Sequence, residues 1–64
     1  MEKYRLKIDI LENNGLTTTY YGKRIRNNIE ESRHAAQEVR NRLFKNRANG
    51  ELKDYMVDII PYCE

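Results

Sequence analysis

From residue 3 the chain alternates. Tyr4, Leu6, Ile8 and Ile10 fall on one side, and Lys3, Arg5, Lys7 and Asp9 on the other. A period of two with one wet face describes a half-buried β-strand, here KYRLKIDILE. Asn13-Asn14-Gly15 follows, and Asn and Gly tolerate the positive φ of tight hairpin turns. LTTTYYGKRI, residues 16–25, is then the returning strand, its β-branched and aromatic side chains suited to a pleated surface. A two-residue Asn14-Gly15 turn would set Tyr21 across from Ile8. A three-residue loop with Gly15 in the left-handed region sets Tyr20 there and turns Leu16 inward. The second is preferred because it buries Leu16.

The period then changes. From Ile29 the apolar positions Ala36, Val39 and Leu43 recur at helical spacing, with Ser32 small enough to lie against a sheet. Asn28 can cap the start, Glu31 stands three residues on, and Glu30 and Glu31 suit the positive end of a helix. Lys45 and Arg47 occupy the last turn, and Asn49-Gly50 supplies the stop. A helix of about twenty residues spans roughly 30 Å, a match for strands of eight or nine residues.

LKDYMVDIIP, residues 52–61, returns to a period of two. Tyr55, Val57 and Ile59 alternate with Asp54, Met56, Asp58 and Ile60, and Pro61 is expected to end the ladder. The outline is one α+β domain over residues 1–64, in the order β-β-α-β. Its three-stranded antiparallel sheet has spatial order 2-1-3, with one helix packed on one face.

Composition narrows the function classes. Sixty-four residues, 39% hydrophobic and 34% charged, describe one small globular domain near the lower limit of independent folding, which gains from a partner or a second copy of itself. The net charge is only +2, from twelve basic and ten acidic residues. A dedicated nucleic-acid binder ordinarily carries more imbalance, because its affinity rests on phosphate neutralisation. A single cysteine, Cys63, leaves no disulfide within the chain. No apolar run approaches membrane-spanning length, and MEKYRLK lacks the apolar core of a signal peptide, so the cytoplasm is the expected compartment.

Two surfaces carry candidate chemistry. Arg33, Arg40 and Arg47 lie seven residues apart and so line one flank of the helix, with Phe44 on the same flank. Arginine and an aromatic bordering the core have the composition of a protein-binding hot spot, although arginines also lay their stems over a core margin with their heads in water. Met56 and Ile60, with Leu11, add apolar groups on the outer sheet face, and the uncharged, proline-free Thr17-Thr18-Thr19 edge invites a partner strand or a homodimer. The second surface is basic. Lys3, Arg5, Lys7, Lys23, Arg24 and Arg26, with nearby tyrosines, could track a phosphate backbone. In order 2-1-3, however, Asp54 and Asp58 point outward beside the cations of strand 1 and neutralise part of that face.

Catalysis and metal binding find less support. His34 stands four residues from both Glu30 and Glu38, but three residues spread along about 12 Å of helix cannot converge on one ion. Cys63 has no base near it in sequence. A carboxylate pair for acid–base work would need a pocket, for which so small a core leaves little room. The expectation is therefore a non-enzymatic binding protein without metal or cofactor. It would dock on another protein as an inhibitor or regulator of the kind encoded by phages and mobile elements. The alternative is a nucleic-acid-binding domain on the basic sheet face and hairpin.

Overall fold

A computed structural model describes residues 2–63. Strand β1 (Lys3–Leu11) lies in the middle of a three-stranded antiparallel sheet, flanked by β2 (Thr17–Tyr21) and β3 (Asp54–Tyr62). Helix α1 (Ile29–Ala48) joins the two edge strands. The α+β outline, the spatial order 2-1-3 and the single helix on one face are those the periodicities predict.

The hairpin is built as the three-residue loop. Gly15 has φ of 88°, its N–H donates to the Glu12 carbonyl at 2.9 Å, and the Glu12 N–H donates to Leu16 at 2.8 Å. A turn closed by a left-handed glycine fixes the register, and Tyr20 stands across from Ile8. The helix begins where Asn28 Oδ1 accepts from the Glu30 N–H at 2.8 Å and the Glu31 N–H at 3.4 Å. It ends in a paired stop. Gly50, with φ of 79°, donates to Arg47, and Glu51 donates to Asn46. Both bonds satisfy carbonyls that the last turn would otherwise leave bare. Asn13 Nδ2 then reaches the Gly50 carbonyl at 2.8 Å, which ties the hairpin turn to the helix end.

Leu6, Ala36, Leu43, Leu52 and Val57 form the core, with Ile8, Ile10, Val39, Tyr55 and Ile59 packed against them. Ser32 is fully buried beside the sheet, its hydroxyl donating to the Asn28 carbonyl at 3.0 Å, so its one strong donor is satisfied. Leu52 joins this core from the connection before β3, where the Lys53 N–H donates to the Leu11 carbonyl. The alternation alone does not single it out.

Three expectations are overturned. The returning strand does not run over residues 16–25; β2 stops at Tyr21, because past Gly22 the chain leaves β1 and meets it again only at Arg26. Leu16 does not turn inward; it is 64% exposed. The helix rests on β3 and β1, and among the described residues it does not reach β2. The helix side of β2 therefore lacks a cover, and Tyr20 remains 49% exposed although its register is the expected one. Pro61 does not end the ladder either. The pairing runs on through Tyr4↔Pro61 to Lys3↔Tyr62. Proline is tolerated there because the missing N–H would have pointed away from the sheet, on the outer edge.

Candidate functional site

The three arginines of the helix flank have three different environments. Arg33 pairs with Glu30 at 2.8 Å and stands in solvent near the helix start. Arg40 reaches down to β3, where Nη2 donates to the Val57 carbonyl at 2.8 Å. Arg47 meets Asp54 Oδ1 at 3.2 Å, with its guanidinium 5.8 Å from the Phe44 ring centroid and 5.2 Å from that of Tyr55. A partly exposed ion pair of this kind contributes little to stability. Its effect is to hold an arginine in one place between two rings. Phe44 itself is 56% exposed, a large apolar group facing water beside a fixed cation. Arg40, Phe44 and Arg47 thus come together along β3, joined by Tyr55 and Asp54, while Arg33 stands apart with Glu30.

Met56 and Ile60 belong to the other face of the sheet. Met56 is across from Asp9 and is 59% exposed; Ile60 is across from Arg5. The same outer face holds Lys7 directly opposite Asp58, the juxtaposition of charges expected from order 2-1-3. Asp54, by contrast, lies across from Leu11 and turns its carboxylate to Arg47. At the centre is Arg5. Its guanidinium is 5.1 Å from the Tyr21 centroid and 5.6 Å from that of Tyr62, and Nη2 donates to the Gly22 carbonyl at 3.0 Å. Nε is buried without a hydrogen-bond partner. Arg5 is therefore a structural clasp across all three strands, with tyrosines on both flanks.

The remaining basic candidates are divided between surfaces. Beyond Gly22 the chain leaves β1 and returns only where Tyr4 and Arg26 exchange two backbone hydrogen bonds, of 2.6 and 2.8 Å. Lys23, Arg24 and Ile25 bulge out between these points. Arg24 and Arg26 line a shallow groove of about 450 Å³ with Glu30, Glu31, His34 and Glu38 of the helix. Cations and carboxylates alternate there, and His34 Nε2 lies 3.2 Å from Glu38 on the exposed helix face. Lys3 stands at the far end of the outer face, across from Tyr62. The six basic residues thus do not form one continuous stripe.

The two edges of the sheet are unequal. Backbone hydrogen bonds at each end of the β1–β2 ladder, Glu12 to Leu16 and Gly22 to Leu6, show that the even-numbered residues of β2 turn their backbone groups toward β1. Thr17, Thr19 and Tyr21 accordingly direct their N–H and C=O groups outward. Along β3 the same alternation sends Tyr55, Val57, Ile59 and Pro61 outward. There, the Tyr55 N–H donates to Asp54 Oδ1 at 2.8 Å, the Val57 carbonyl accepts from Arg40, and Pro61 has no N–H to offer. The β3 edge is blunted in three places, while β2 carries no such device among the described residues.

Sequence spacing alone finds the Arg40–Phe44–Arg47 flank. It does not find Tyr55, Tyr21 or Tyr62 as ring partners. The signal for those lies in the register, since order 2-1-3 puts Tyr21 and Tyr62 diagonal to Arg5. Among the described residues, no group of three or more His, Cys, Asp and Glu is placed to hold a metal ion, and no helix is long and apolar enough to cross a membrane. Comparisons with protein-family models, curated proteins and solved structures gave no match.

Proposed function

We propose that this chain is a non-enzymatic binding protein that acts by docking on another protein, as a small inhibitor or regulator. The observation that carries the reading is the Phe44–Arg47–Tyr55 cluster. An exposed phenyl ring beside an arginine already fixed by Asp54 and two rings is a preorganised contact surface. A partner that covers Phe44 gains apolar burial, and Arg47 can offer its remaining donors to a partner carbonyl or carboxylate. Arg40 supports this surface from below by holding the helix to β3.

Alanine at Phe44, and separately at Arg47, tests the assignment against a partner protein recovered from the native cell and then purified. Each change should weaken that complex at least tenfold, about 1.4 kcal/mol, while the thermal midpoint of the free protein stays nearly constant. Wild-type affinity in both variants would refute this surface.

One observation favours a second reading. Arg5 between Tyr21 and Tyr62 on an uncovered sheet face is the kind of platform on which a base can stack. The acids at Asp58 and along the groove oppose phosphate there. Titration with single- and double-stranded oligonucleotides across salt separates the two, since phosphate-driven binding falls steeply as salt rises.

A further inference from the structure

The geometry points to a second copy of this chain as the occupant of the β2 edge, joined across a two-fold axis at Thr19 into a continuous six-stranded antiparallel sheet. This inference stands apart from the docking surface, which lies on the opposite edge.

The backbone carries most of the argument. The outward groups of β2 belong to three residues spaced evenly about Thr19. A two-fold axis at that point sets Thr19 against Thr19 of the second copy, and Thr17 against its Tyr21. All six outward N–H groups, three from each copy, then find a carbonyl. The β3 edge could not do this, because Pro61 lacks a donor and Arg40 already occupies the Val57 carbonyl.

The side chains agree with the same register. No residue from Thr17 to Tyr21 is charged, so no like charges are brought together in the new ladder. Threonine meets tyrosine across it on both faces, a β-branched and aromatic combination that favours sheet pairing. On the helix side, Tyr20 and Leu16 are exposed because α1 leaves β2 uncovered. The axis runs perpendicular to the sheet, so both helices fall on the same side and these residues from both copies gather in the trough between them. Beyond the strand, the antiparallel direction sets Lys23 and Arg24 of one copy beside the Asn13-Asn14-Gly15 turn of the other, not beside its cations.

A dimer of this form presents a Phe44–Arg47 cluster at each outer end. It can therefore engage a symmetric partner at two points, with the gain in avidity that two linked contacts provide.

Sedimentation of the purified protein from about 1 to 500 µM, a span suited to a small interface, tests the proposal. The mass should rise with concentration from 7.7 kDa to twice that value and stop there. Thr19→Pro removes an outward donor that β1 does not use, and Thr19→Lys sets two cations face to face on the axis. Both variants should remain monomeric throughout, with the circular dichroism of the folded wild type; Thr19→Lys covers the case in which proline perturbs the strand. A wild-type mass fixed at the monomer, growth beyond the dimer, or undiminished dimerisation of a folded Thr19→Lys protein would overturn the inference.

Discussion

Replacing Arg40 with methionine separates it from Arg33 within the arginine line. Methionine keeps an unbranched apolar stem and a strong helix propensity, so what is lost is the guanidinium and its 2.8 Å bond to the Val57 carbonyl. Hydrogen bonds to charged groups contribute roughly 1.5–3 kcal/mol. Water can reach this carbonyl once the arginine is gone, because Val57 sits on a sheet edge, which moves the expected loss toward about 1–2 kcal/mol. With a urea slope near 1 kcal/mol/M for so small a chain, the unfolding midpoint should fall by about 1–2 M. Arg33→Met is the matched control. Arg33 is 65% exposed and pairs with Glu30 one turn away, so its loss should cost less than about 0.5 kcal/mol. Urea titration followed by circular dichroism, with both variants at the same dilute concentration, reads the contrast. Equal midpoints for the two variants would show that Arg40 does not clamp the helix to β3, and the account of the blunted edge would fail with it.

Substitutions at three other positions test the placement of elements. Leu43→Ala should cost about 2–5 kcal/mol because Leu43 is a buried core residue, whereas Leu16→Ala should cost under about 0.5 kcal/mol in the dilute monomer; similar losses in urea titrations would place Leu16 back in the core. Asn28→Ala should cost about 1 kcal/mol through the lost helix cap, and Asn28→Ser should recover most of it; an unchanged midpoint for the alanine variant would show that the helix starts elsewhere.

The fold was legible in the sequence where the pattern is local. Alternation in Lys3–Leu11, the Asn-Asn-Gly turn and the Asn28 and Asn49-Gly50 ends each depend on a few adjacent residues, and each is realised as expected. The exposure of Leu16 is not legible there, because its burial depends on where the helix lies across the sheet, a tertiary matter that strand periodicity does not encode. The helix buries Ser32, Ala36 and Leu43 over β1 and β3, and β2 is left bare. The pairing through Pro61 escapes a local pattern for a related reason. Whether a proline ends a strand depends on which edge its nitrogen faces, and that follows from register. At the candidate site, the seven-residue spacing correctly put Arg40, Phe44 and Arg47 on one flank. It could not show that Arg40 is bonded to a strand carbonyl while Arg47 is held between rings, since both facts require β3 to be in place.

The central claim is that the helix closes one edge of the sheet and leaves the other open, with β2 held to β1 through its even-numbered residues. Residue-resolved amide hydrogen exchange of the dilute protein tests this most directly. The amides of Thr18 and Tyr20 should exchange slowly, and those of Thr17, Thr19 and Tyr21 at rates near those of an unfolded peptide. Protection of Thr17, Thr19 and Tyr21 with fast exchange at Thr18 and Tyr20 would contradict it.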